Sequence, residues 1–123
     1  ADLAERFEAD DIYAPGTVVE IGGAAEITAV STDLSEDVFG VISTNAAYLM
    51  NSAATGLPVA LMGRVPCLVT GKINKGDRLV SSYKPGHAMK MNIGMYEPGS
   101  IIGKSLQDFE GESGVIEIMV GRT

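Results

Sequence analysis

The chain has 123 residues, a formal net charge of −7 and a pI of about 4.5. That balance leaves no basic footprint for nucleic acid and no attraction to an anionic membrane surface, and no apolar run approaches the ~20 residues of a membrane-spanning helix. Hydrophobic residues reach 46% while aromatics are 6% and Trp is absent, so one domain with a core of Val, Ile, Leu, Met and Ala is expected.

Residues 1–15 read as an N-terminal arm or short helix ahead of a β domain over 16–123. Asp2 followed by Glu5 resembles a capping box, and Leu3 and Phe7 would share a helix face. Glu8, Asp10 and Asp11 then crowd the end where a helix dipole disfavours negative charge. Two large apolar groups on so short a segment must pack on this domain or on a neighbouring subunit. A first residue of Ala rather than Met reads as a processed or excised chain.

Beyond that segment, Tyr-x-Pro-Gly occurs at Tyr13–Gly16, Tyr83–Gly86 and Tyr96–Gly99. Pro sets φ for the first central turn position and Gly supplies φ > 0 at the second, so each copy predicts a type II turn. Asn74-Lys75-Gly76-Asp77 punctuates in the same way without Pro. Between such turns, strands are expected near 17–21, 25–30, 38–43, 57–62, 65–70, 78–81, 87–91, 100–105 and 115–120. The fold class is therefore all-β, a single compact barrel or sandwich of about eight to ten short strands with a short N-terminal arm. Gly22-Gly23 signals a hairpin, and Pro66 a bulge or an edge position. The stretch 44–54 is Ala-rich and carries Tyr48, Leu49 and Met50 consecutively. It reads as a short helix or as a long loop whose exposed hydrophobes form an interface.

No catalytic, cofactor or metal site emerges from the residue pattern. Cys67 excludes an intrachain disulfide and reads as a small buried hydrophobe. His87, the one histidine, stands beside a turn and reads as solvated or hydrogen-bonded. Gly71-Lys72-Ile73-Asn74-Lys75-Gly76 has the glycine spacing of a phosphate loop. Asp77 and Arg78 follow where that loop needs Lys and then Ser or Thr, so the stretch reads as a hairpin turn. Glu8, Asp10 and Asp11 fit no calcium-loop template. Ser43-Thr44-Asn45 and Asn51-Ser52 offer hydroxyls for self-cleavage, with no base placed nearby.

Three stretches together carry a resemblance. They are Ala1-Asp2-Leu3-Ala4-Glu5-Arg6-Phe7-Glu8-Ala9 followed by Tyr13-Ala14-Pro15-Gly16-Thr17-Val18-Val19, then Gly40-Val41-Ile42-Ser43-Thr44-Asn45-Ala46-Ala47-Tyr48-Leu49-Met50-Asn51, then Val59 through Cys67 running into Gly71–Asp77. This succession resembles the C-terminal domain of tailed-bacteriophage tail fibre and related structural proteins. The opening Asp-x-Ala-Glu-x-Phe-Glu is also similar to the start of phage appendage autoproteolytic chaperone domains. The resemblance implies a non-enzymatic virion component, made in the host cytoplasm and assembled as a homotrimer behind an upstream fibre shaft. It implies trimer registration, contact with a host-surface glycan or protein, or both. Leu3, Phe7, Tyr48, Leu49 and Met50 are then the expected subunit interface. Receptor contact is expected on loops around Ser31–Asp37, Tyr83–His87 and Asn92–Tyr96, with Tyr83, His87 and Tyr96 as the residues of interest. Two other readings stand beside it: a monomeric carbohydrate- or peptide-binding β domain, and an autoproteolytic intramolecular chaperone domain.

Overall fold

The computed structural model describes residues 2–44, 46–95 and 97–121. Among them there are ten strands and no helix: β1 Asp2–Phe7, β2 Val18–Ile21, β3 Ile27–Ala29, β4 Val38–Ile42, β5 Tyr48–Met50, β6 Leu57–Ile73, β7 Arg78–Ser81, β8 Ala88–Lys90, β9 Ile101–Ser105 and β10 Phe109–Val120. The order β10-β9-β7-β8-β6 closes on itself because β10 also pairs with β6, which makes a five-stranded barrel. Its ladders are antiparallel except β6–β8, a parallel contact at Val69 and Ala88. Closure removes the barrel's free edges.

The remaining strands form a layer outside the barrel. β4, β2 and β3 extend from β6 in that order, β1 pairs with β6, and β5 pairs with β1 alone. Strand β6 belongs to both parts. Leu57–Gly63 pairs with β1, and Gly63–Ile73 with β10. Gly63, at φ 107°, lies where the two halves meet. A side chain is strained in that conformation, which accounts for glycine here.

The three Tyr-x-Pro-Gly turns form as their chemistry requires. Thr17 N–H donates to Ala14 O, His87 N–H to Lys84 O and Ser100 N–H to Glu97 O, each across Pro and a glycine of positive φ. Asp77 N–H closes the Pro-free copy onto Asn74 O. That last turn is not a hairpin, correcting the sequence reading: β6 and β7 are not neighbours, because β8 lies between them. Gly22-Gly23 does join a hairpin, with Ile21 opposite Ile27.

Two apolar clusters follow from the two-residue period. Val65, Cys67, Val69 and Ile73 on β6 meet Leu79, Ile102, Ile116, Ile118 and Val120 to fill the barrel. Cys67 is fully buried among them, and loss of water pushes its thiol pKa far up. The adjacent pairs Val18-Val19, Val41-Ile42 and Val59-Ala60 are buried on both sheet faces. One member of each pair faces the barrel cluster. The other joins a second cluster with Ile27, under Phe7, Ala9, Tyr13, Phe39, Leu57 and Leu61.

Candidate functional site: an open apolar edge

The first segment is a strand rather than a helix, and it gathers four of the five residues expected at an interface. In β1 and β5, Leu3 stands opposite Tyr48, Ala4 opposite Leu49 and Glu5 opposite Met50, in parallel register. On its other side Leu3 faces Met62 of β6. Tyr48, Leu3 and Met62 thus lie in one row across three strands. Tyr48 is 74% exposed and Met62 49%, with Met50 also exposed. Alternation turns Tyr48 and Met50 outward and leaves Leu49 half-buried. Met62 escaped the sequence reading because it was placed inside an ordinary alternating strand. It stands next to the register break between Leu3 and Ala4, where β6 skips Leu61.

Phe7 lies further along β1, in the second cluster. Its ring meets Phe39 edge-on, with centroids 5.1 Å apart at 80°. These two rings, with Ile21, Ile27 and Leu61, line an apolar cleft of about 520 Å³ on the outer layer. Arg6 binds the loop before β6, Nη1 donating to Gly56 O at 3.0 Å and Nε to Ser52 O at 3.3 Å. This loop therefore holds β5 against β1 by chain connectivity as well as by pairing. β5 itself has no partner on its outer edge among the described residues. The edge carries no charge and no proline, so the shortness of this three-residue strand is what limits its pairing with another chain.

The expected receptor residues divide. Tyr83 is 73% exposed. Its N–H donates to Asp33 Oδ1 at 2.6 Å, which fixes the turn against the 31–37 loop. With Thr70, Lys72, Met89, Lys90 and Asn92 it lines a groove of about 320 Å³. His87 is not displayed with it. That ring is buried; Nδ1 contacts Pro85 O at 2.8 Å and Nε2 contacts Ser113 Oγ at 2.7 Å. A carbonyl can only accept, so Nδ1 carries the proton. His87 thereby bolts the turn to β10. Tyr96 and Asn45 lie outside the described residues.

The acidic N-terminal loop is tied to β3, Ile27 N–H donating to Glu8 O and Asp10 N–H to Ile27 O. Tyr13 OH donates to Asp10 Oδ1 at 2.5 Å and contacts Thr28 Oγ1 at 3.3 Å. The Tyr13 and Thr28 hydrogen bonds hold the Asp10 carboxyl below the usual aspartate range. No group of three or more His, Cys, Asp or Glu that could hold a metal forms among the described residues.

No family model and no curated protein matches the chain. Among solved structures it is similar to the head fibre gp8.5 N base of bacteriophage phi29, with a TM-score of 0.55 and 11% sequence identity. The match covers 98% of this chain and 94% of that one. At this identity the likeness is one of fold, extending over barrel and outer layer alike.

Proposed function

We propose that this chain is a non-enzymatic structural module of a phage fibre and that it assembles as a homotrimer through the β1–β5 edge. The observation that carries the reading is the edge itself. It is a short, unpaired outer strand with Tyr48 and Met50 exposed, beside Leu3 and Met62, on a chain whose fold resembles the base of a phage head fibre. The occupant is a second copy of the chain. With three copies around an axis, each β5 would be covered by the next, and burial of each exposed apolar side chain would contribute about 1.5–3 kcal/mol. Phe7 and its cleft continue this surface along β1.

The sequence resemblance points to a tail fibre, the fold likeness to a head fibre. Both are appendages of a virion, and immunogold labelling of particles distinguishes the two locations. Assembly is tested by sedimentation equilibrium. The chain is expected to have three times its monomer mass, and Leu49→Asp is expected to give folded material of lower mass. A stable monomer at micromolar concentration would instead favour the second reading, a carbohydrate- or peptide-binding domain. The groove beside Tyr83 is the feature that supports this alternative.

A further inference from the structure

A small polar pocket of about 180 Å³ lies at the seam between the outer layer and the barrel. Asp2 of β1, Ser43 and Thr44 beyond β4, Arg64 of β6 and Glu117 of β10 contribute to its wall. Asp2 is only 7% exposed, and its Oδ2 is buried with no hydrogen-bond partner among the described residues. Lys90–Asp77 is the one ion pair among the described residues, so none of their cations lies within 4.0 Å of the Asp2 or Glu117 carboxylate. Arg64 is exposed and has closed on neither carboxylate. A carboxylate oxygen withdrawn from water without a donor is costly, and such a group calls for a missing partner.

We propose that this pocket binds a hard divalent cation of the Ca²⁺ or Mg²⁺ class, with Asp2 as the anchoring ligand. Apart from the guanidinium, the polar side chains of the wall offer only oxygen: two carboxylates and two hydroxyls. Oxygen sets suit these ions, whereas Zn²⁺ and Cu²⁺ favour nitrogen and sulfur. With two carboxylates the rest of the coordination falls to hydroxyls, backbone carbonyls and water, and the volume accommodates an ion with a few waters. So few charged ligands place the site among weak ones, filled at ~10⁻⁴–10⁻³ M as in extracellular modules. The ion would join the first strand to β6 and β10 and so fasten the outer layer to the barrel. Arg64 opposes it and must keep its head in solvent when the ion is bound.

The test is thermal unfolding in EDTA and then with CaCl₂ or MgCl₂, on the intact chain, Asp2→Asn, Glu117→Gln, Arg64→Gln and the double variant Asp2→Asn with Arg64→Gln. At least one ion is expected to raise the Tm of the intact chain. Asp2→Asn should abolish that rise and, in EDTA, melt above the intact chain because the bare charge is gone. Glu117→Gln should need several-fold more cation, which keeps the question answerable if Asp2→Asn does not fold. Arg64→Gln should need several-fold less. Absence of any rise with either ion would overturn the proposal, as would a rise that persists in both carboxylate variants. So would Arg64→Gln and Asp2→Asn lowering the Tm equally in EDTA with no further loss in the double variant. That pattern would show that Asp2 already pairs with Arg64.

Discussion

Inside the barrel, Leu79, Val69 and Ile118 lose all contact with water, whereas Phe7 and Phe39 in the outer layer stay half-exposed over a cleft of about 520 Å³. Both regions are built from the same alternating apolar strands. They differ in topology: the barrel closes by β10 returning to β6, while in the outer layer β3 is covered only at Ile27, by a parallel bridge to Ala9, and β5 has no second partner among the described residues. A closed sheet completes its own hydrogen bonding and can bury every inward side chain. An open one leaves a row of backbone groups and one apolar surface for something else to cover.

Substitutions inside the barrel should have the largest effect. Gly103 has no room for a side chain, because an added Cβ would collide with the Met119 carbonyl on the next strand. Gly103→Ala is expected to abolish cooperative folding or displace β9, visible as loss of the thermal transition. Leu79→Ala should cost about 2–5 kcal/mol in denaturant unfolding at any protein concentration. Phe39→Ala should cost less than Leu79→Ala in dilute solution, because its ring is only half-buried and its pairing with Phe7 contributes about 0.5–1.5 kcal/mol. The same variant should cost more once the chain assembles. A concentration-independent cost for Phe39→Ala would remove the cleft from the shared surface.

Smaller effects sharpen the contrast at single groups. His87→Ala leaves Pro85 O and Ser113 without their partner and should cost about 1–3 kcal/mol, read by chemical denaturation. It should loosen the Tyr83 turn, which slower tumbling-corrected relaxation at Tyr83 would register. The Cys67 thiol titrates far above its unfolded value, so the folded chain holds a proton that the unfolded chain releases. Its contribution is complete below the unfolded thiol pKa of about 8.5 and declines as pH rises above it. Native Cys67 should accordingly resist thiol reagents at neutral pH until the barrel opens. At Asp10 the sign is reversed. The carboxyl is held low, so its contribution is present above the unfolded pKa and is lost as pH falls through the folded one. Tyr13→Phe should raise that pKa toward the ordinary aspartate value, followed by the Asp10 carboxyl carbon shift.

The turns were the most legible part of the sequence, because a Pro-Gly pair dictates its own backbone regardless of what surrounds it. All three Pro-Gly turns form as read, and Asn74–Asp77 does turn the chain, though without making the hairpin expected of it. The seventeen residues of β6 were not legible as one strand. Gly63-Arg64 looks like a break in sequence, and only the change of partner from β1 to β10 shows it to be a bend. The first strand was ambiguous for a simple reason. Leu3 and Phe7 are four apart, a spacing that fits a helix face and also fits one side of a strand, since four is twice two. β5 was hidden by alanines, and its pairing with β1 is a long-range fact with no local signature. Asp2 was read as a helix cap; its burial is visible only after β1 lies against β6.

The claim that the outer layer is completed by another copy is most directly tested by amide hydrogen exchange at two protein concentrations, one below and one above assembly. Protection at Tyr48–Met50 and Leu3 is expected to rise strongly with concentration, while Val65–Val69 and Ile116–Val120 in the barrel exchange equally slowly in both. Equal exchange of β5 at the two concentrations, with the barrel protected throughout, would contradict the account and leave the chain a self-sufficient monomer.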